Sequence, residues 1–146
     1  MSKIEKVAFE TLFPVMEEAL SRGDTVVFAP SGTSMQPLLT AGRDRVVLSA
    51  VNDPLRRGDV VLYRRESGQF VLHRIVGRAA EGFRLRGDNQ RVTEYPVKRE
   101  QIVARMSGFY RKNKLYKAHG AVDRWFFAIA LPLHLSKLLW RRITRN

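Results

Sequence analysis

The sequence predicts a mainly β protein: a compact β-body, preceded by a helix and followed by an amphipathic helical segment. Of the 146 residues, 45% are apolar, which is enough for a core and excludes a disordered chain. Short β-branched and aromatic runs, separated by turn-forming residues, fill the middle of the chain. Helical periodicity is confined to the two ends, so too few helices lie between the strands for a parallel α/β sheet.

The N-terminal region, residues 1–23, is predicted to be a helix over residues 3–22. Its apolar residues recur at helical spacing from Ile4 to Leu12. Pro14 either kinks this helix or begins a second one, because proline lacks an amide hydrogen and suits a first helical turn. Gly23 is placed to cap the C-terminus.

Residues 24–110 are predicted to form the β-domain. Asn, Asp, Gly and Pro clusters such as Asn52-Asp53-Pro54 and Gly87-Asp88-Asn89 separate the runs and are typical of turns. The six predicted strands are residues 25–29, 45–51, 59–64, 69–76, 82–86 and 101–110.

Residues 111–146 are predicted to be a basic linker, 111–120, followed by an amphipathic helix over 121–143 that breaks at Pro132. Residues 110–146 carry nine basic side chains against a single acidic one, Asp123, whereas residues 1–109 carry 17 basic and 13 acidic ones. Such an imbalance is typical of a segment that meets an anionic surface, either lipid or nucleic acid.

The apolar stretch from Trp125 to Trp140 favours lipid over nucleic acid. Its 16 residues would span about 24 Å as a helix, short of a hydrocarbon core of roughly 30 Å. We therefore expect a helix that lies in an anionic membrane surface; a helix packed on the β-body and a true span are the alternatives. The charged residues of the first 20 positions argue against a cleavable signal peptide, so the predicted location is cytoplasmic or peripheral to a membrane.

Three residues could carry chemistry. Ser34 lies in a turn rich in Gly and Pro, where a hydroxyl would be exposed beside backbone amides, although such clusters are usually plain turns. His73 shares a strand face with apolar neighbours, so its ring would be neutral and able to accept a proton; a structural histidine is the alternative. Asp88 ends a strand, where it could orient a histidine or cap its own turn.

The chain has no Cys and only scattered His, and no metal or cofactor is predicted.

The order of five short blocks resembles the superfamily of signal peptidase I and the repressor-type self-cleaving serine peptidases. The likeness covers about residues 25–107. The blocks are Gly32-x-Ser34-Met35-x-Pro37, Asp44-x-Val46, Gly58-Asp59-Val60-Val61, Leu72-His73-Arg74-Ile75-Val76 and Arg86-Gly87-Asp88-Asn89.

The resemblance implies a signal-peptidase-like β-fold and a serine endopeptidase that cleaves precursor or leader peptides. Ser34 would be the nucleophile, with Thr33 and Met35 beside the oxyanion site. His73 would be the general base, as in the archaeal and endoplasmic-reticulum type, and Asp88 would orient it. The substrate would bind extended along a strand edge, with small side chains preferred on the acyl side. An ordinary histidine pKa predicts activity that rises through roughly pH 6–7.5, with a midpoint that depends on burial.

Two other functions fit the same sequence. An inactive relative could act as a membrane-surface or nucleic-acid binding module through its basic C-terminus, where cations from Arg111 to Lys117 alternate with Tyr110 and Tyr116. Self-cleavage, as in the repressor-type members, is less favoured, because no Ala-Gly pair precedes Ser34 within a long linker.

Overall fold

The computed structural model describes residues 3–143, and the side chains of residues 9–143. Strands account for 35% of the chain and helices for 29%, which confirms the predicted mainly β class with a helix at each end. The helix before the sheet, α1, is Lys3–Ser21. It contains Pro14 in its interior, so proline does not end it. Gly23 follows with a positive φ of 84°, the backbone conformation that favours glycine after a helix.

One antiparallel eight-stranded sheet forms the body, in the order β1-β2-β7-β3-β4-β5-β6, with β8 paired to the far end of β7. The long strand β7 pairs with both β2 and β3, and so joins the two halves of the sheet. The strands are β1 Val26–Phe28, β2 Asp44–Ser49, β3 Val60–Arg64, β4 Phe70–Ala79, β5 Gly82–Arg86, β6 Glu94–Val97, β7 Ile102–Arg111 and β8 Lys114–Lys117.

Two hydrophobic clusters stabilise the sheet. The larger cluster joins β2, β3 and β7 to the helices at both ends of the chain, through buried residues such as Leu20, Leu48 and Phe126. The smaller cluster is formed by β3, β4 and β5 around Val61, Ile75 and Leu85. Because side chains alternate along a strand, β3 and β4 contribute to both clusters, one from each face.

Two short strands, β6 and β8, were not predicted from the sequence. Residues 111–120 are not a linker: β7 extends to Arg111, turns at Lys112 and Asn113, and returns as β8. Both turn residues have positive φ, which allows a tight turn within a run of basic residues. The other missed strand, β6, contains Pro96, which is tolerated because β6 lies at the edge of the sheet.

The C-terminal segment is helical without a break at Pro132. It consists of α2, Ala121–Trp125, a π-helical turn, Phe126–Ala130, and α3, Leu131–Ile143. Pro132 has no N–H to donate to the preceding turn, and the wider π-helical turn ends two residues before it, at Ala130. Phe126 and Leu131 are buried in the larger cluster, so this segment packs on the β-body. Within residues 3–143 no helix combines the length and hydrophobicity needed to cross a bilayer.

Candidate active site

The loop that carries Ser34 is anchored by buried residues, and its middle is accessible to solvent. It leaves the end of β1 and turns at Gly32, whose φ of +74° favours glycine. Met35 and Leu39 anchor the loop in the larger hydrophobic cluster, and the Leu39 amide donates to the Met35 carbonyl at 3.0 Å. Ser34, between the exposed Thr33 and the buried Met35, is half-buried. The local sequence therefore presents the Ser34 hydroxyl from a fixed turn, with the hydroxyls of Ser31 and Thr33 nearby.

The backbone of this loop also offers hydrogen-bond donors. Among the residues that the structure describes, none accepts a hydrogen bond from the amide of Thr33, Ser34 or Met35. Amide hydrogens that converge in a turn and lack a protein acceptor are suited to bind a negatively charged oxygen. The resemblance placed Thr33 and Met35 beside such a site, and the donors would be backbone amides rather than side chains.

His73 lies in β4 and is buried, with a relative exposure of 2%. This burial lowers the pKa of His73 from 6.5 to about 4; the nearby Glu94 carboxylate opposes the shift, and Arg65 adds to it. The imidazole is therefore neutral at neutral pH, which is the form that accepts a proton.

A chain of hydrogen bonds fixes the tautomer of His73. The Tyr63 hydroxyl lies 2.8 Å from Glu94 Oε2 and 3.2 Å from His73 Nδ1. Burial raises the pKa of Glu94, but hydrogen bonds from Arg65 and Tyr63 outweigh that effect and hold it below its usual range, so Glu94 is an ionised acceptor. Tyr63 has one hydroxyl proton and gives it to Glu94, so its oxygen accepts a hydrogen bond from His73 Nδ1–H. The other nitrogen, Nε2, is left unprotonated.

Arg65 completes this chain. Its Nε donates to Glu94 Oε2 at 3.2 Å, and its Nη2 is also paired with Oε1 of the same carboxylate. A further hydrogen bond of 2.7 Å joins Arg65 Nη1 to Gln69 at the start of β4. The charged pair Arg65–Glu94 thus lies behind Tyr63 and keeps its hydroxyl directed at the imidazole.

Ser34 and His73 line the same cavity, which has a volume of about 370 Å³. Apolar side chains such as Phe28, Phe70 and Leu72 form much of the rest of its wall. Among the described residues, the Ser34 hydroxyl and His73 Nε2 have no hydrogen-bond partner, so both are free to meet a ligand. Hydrogen bonds between catalytic groups are often long before substrate is bound.

Asp88 does not take the place that the resemblance implied. Its carboxylate binds Arg74 in bidentate fashion, with Arg74 Nε to Oδ1 at 2.9 Å and Nη2 to Oδ2 at 3.0 Å. Neighbouring residues of a strand point to opposite faces, and Asp88 lies on the face of Arg74 rather than that of His73. The prediction that Asp88 orients the imidazole is therefore wrong, and Tyr63 occupies the position at Nδ1 instead.

Asp88 nevertheless supports the Ser34 loop. Arg74 is fully buried and also binds Asp123 of α2, at 3.3 Å, and the Gly58 carbonyl, at 2.8 Å. Next to Asp88, the Asn89 amide donates to the Ser34 carbonyl at 2.8 Å, and Asn89 Nδ2 donates to the Thr33 carbonyl at 3.1 Å. The ion pair thus anchors the turn that is hydrogen-bonded to the Ser34 loop.

The C-terminal segment braces the same turn. His134 Nε2 lies 2.9 Å from Asn89 Oδ1, and Arg91 donates to the Leu138 carbonyl. Because Asn89 Nδ2 is the donor to Thr33, its Oδ1 is the acceptor for His134. Asn89 therefore connects α3 to the Ser34 loop.

Four residues around the site were not predicted from the sequence: Tyr63, Glu94, Asn89 and His134. The register of β3 and β4 pairs Val61 with His73 and Tyr63 with Val71, so Tyr63 is the diagonal neighbour of His73. The short turn at Ser67-Gly68 was the available signal for this register, since a tight hairpin fixes which residues face each other. Nothing in the spacing indicated Glu94, which comes from the far edge of the sheet.

Within residues 3–143, no group of three or more His or carboxylate side chains is placed to hold a metal ion. Comparison of the chain with protein-family models and with curated proteins found no match.

Proposed function

We propose that this protein is a serine endopeptidase in which Ser34 is the nucleophile and His73 the general base. The observation that carries the proposal is that the half-buried Ser34 and a buried, neutral imidazole line one cavity, with Nε2 of the imidazole left unprotonated by the Tyr63–Glu94 hydrogen bonds. The five sequence blocks that resemble the signal-peptidase superfamily support the same assignment.

In the first step His73 Nε2 accepts the proton of the Ser34 hydroxyl while Oγ attacks the scissile carbonyl carbon. The carbonyl oxygen becomes negative and accepts hydrogen bonds from the amides around residues 33–35. When the C–N bond breaks, the imidazolium returns its proton to the leaving amine. Water then attacks the acyl-enzyme by the same route, with His73 again as the base, and releases the carboxylate product.

In this mechanism the Tyr63–Glu94 pair orients the imidazole and stabilises the imidazolium, as an aspartate does in a Ser-His-Asp triad. The ionised Glu94 favours the charged imidazolium that forms in each step, and Tyr63 transmits this effect by accepting the Nδ1–H bond. Burial of His73 opposes its protonation, so the nearby negative charge limits the cost of that step.

The substrate would be an extended segment of a precursor or leader peptide. The pairing of β4 with β5 begins at Arg74, so residues 70–73 have no strand on that side, and Phe70 to His73 line the cavity. A peptide could pair with this open edge and place its carbonyl at Ser34. The apolar wall and limited volume of the cavity favour small apolar side chains next to the cleaved bond.

Labelling with a fluorophosphonate, which reacts with activated serines, tests this proposal without knowledge of the substrate. The wild-type chain is expected to take up one label and to cleave members of a peptide library, and Ser34→Ala to do neither while it remains folded. Ser67→Ala is the matched control, since Ser67 lies in the exposed β3–β4 turn. Equal labelling and cleavage in Ser34→Ala would exclude Ser34 as the nucleophile. Absence of both in the wild type would favour an inactive relative.

A further inference from the structure

The C-terminal segment, residues 121–143, carries an exposed apolar stripe. Trp125, Ile129 and Leu133 follow each other at intervals of four residues, and each exposes more than half of its surface. The stripe continues along α3 to Trp140, which is 67% exposed, and Ile143. Residues spaced by three or four lie on one side of a helix, so these side chains form a single surface, which we call the outer helix face.

The opposite side of the segment packs on the β-body. Phe126 and Leu131 are buried in the larger cluster, and Arg74 lies against the rings of Phe126 and Phe127 at 5.6 and 5.4 Å. Asp123 is held by Arg74. Since these contacts fix the rotation of the segment, the outer helix face cannot turn inward without loss of the core and of a buried ion pair.

Residues 121–143 have exposed cations and no exposed acid. Residues 121–143 contain one carboxylate, Asp123, which is buried and paired with Arg74. The exposed cations of the segment are Arg124, Lys137, Arg141 and Arg142. The outward surface is therefore both apolar and positive.

This combination decides between the possible occupants. A second copy of this chain would bring the same positive surface toward the first, and the formal charge of each copy is +12. A nucleic acid would neutralise the cations and leave the aliphatic side chains in water. An anionic lipid surface satisfies both properties, since acyl chains accept the apolar stripe and headgroups bind the cations.

We propose that the outer helix face binds the surface of an anionic lipid bilayer, with the segment lying flat in the interface. A flat orientation follows from the contacts of the opposite face, which attach the segment to the β-body from Asp123 to Leu138. Trp125 and Trp140 would lie at the level of the headgroups, where indole rings are favoured. The inference does not depend on the proposed peptidase activity.

The two tryptophans of the chain both lie on this face and report binding directly. We expect the emission of the full-length chain to shift to shorter wavelength with vesicles that contain phosphatidylglycerol, and to change little with phosphatidylcholine alone. In flotation the chain should rise with the anionic vesicles, and added salt should weaken this binding.

A matched pair of variants separates the outer helix face from general attraction to negative charge. Leu133→Asp and Val92→Asp each replace an exposed aliphatic side chain by one carboxylate, the first on the outer helix face and the second in a loop outside it. Leu133→Asp should weaken partition into anionic vesicles by at least about tenfold relative to Val92→Asp, and thermal melts should show that both remain folded.

Three results would overturn the proposal. The chain could remain unbound by anionic vesicles at low salt. Leu133→Asp and Val92→Asp could bind these vesicles equally well. Finally, sedimentation without lipid could show an oligomer that Leu133→Asp dissociates, which would assign the outer helix face to a second copy of the chain.

Discussion

Acidification tests the environment of His73 most directly. Burial gives this histidine a pKa of about 4, against 6.5 for the free side chain. At pH 5.5 a base with a pKa of 4 is about 97% unprotonated, whereas an ordinary histidine is only about 10% unprotonated. We therefore expect kcat/KM at pH 5.5 to be close to its plateau, rather than about tenfold below it. The structure thus moves the acid limb below the range of pH 6–7.5 that the sequence alone predicts.

The same pKa affects stability. Between pH 6.5 and about 4, the unfolded chain binds a proton at this histidine and the folded protein does not. The free energy of unfolding should therefore fall as the pH falls through this window, by a total of about 3 kcal/mol from His73 alone. His73→Gln should remove this part of the pH dependence, and urea melts of both proteins at pH 7 and pH 4.5 would measure it.

The predicted acid limb is tested by measuring kcat/KM for one cleaved peptide from pH 4 to pH 8. Circular dichroism at each pH shows that the protein is folded. Glu94→Gln is the informative variant, because the Glu94 charge raises the pKa of His73 and its removal should move the acid limb to still lower pH. An acid limb centred near pH 6.5 in the folded wild type would refute the argument that His73 is a desolvated base.

Three further predictions concern the groups around the site. Tyr63→Phe leaves the His73 Nδ1–H bond without its acceptor and should lower kcat roughly tenfold or more, measured beside a melt that shows the fold intact. Asp88→Asn removes one charge from a buried ion pair and should reduce the free energy of unfolding by about 3 kcal/mol in urea, whereas a triad role alone would leave it unchanged. Asn89→Ala removes the side-chain hydrogen bonds to the Thr33 carbonyl and to His134 but keeps the backbone bond to Ser34. It should lower kcat more than it raises KM, and His134→Ala should have the same effect more weakly. An unchanged kcat in both variants would argue against support of the Ser34 loop by the Asn89 side chain.

Most strands could be predicted because their signals are local. The runs that became β2, β3, β4, β5 and β7 combine β-branched residues with turn residues on both sides. Burial alternates along β5 and much of β7, whereas β3 is buried on both faces. The strands β6 and β8 gave no such signal. Each has four residues, and β6 contains Pro96 while β8 lies in a basic run, so pairing with a neighbour decides their structure.

The site was partly predictable for a similar reason. Ser34 and His73 stand in local patterns that describe a turn and a buried strand, and both line the cavity. The partner of His73 was not predictable in this way, because it depends on which strand face each side chain occupies. Asp88 lies near in sequence and resembles the expected partner, but Arg74 on the other face binds it, whereas Tyr63 comes from β3 on the face of His73.

Two contacts that hold the turn beside Ser34 can form only late in synthesis. They are the hydrogen bond between Asn89 and His134 and the Arg74–Asp123 ion pair. The β-body, to Lys117, leaves the ribosome before Asp123 and His134 do. Until then the Arg74 guanidinium has one of its two carboxylates, and the turn beneath Ser34 lacks its support from α3. We expect the Ser34 loop of a nascent chain at this stage to be poorly held. If Ser34 is the nucleophile as proposed, competence to react would then arise only after α3 has docked.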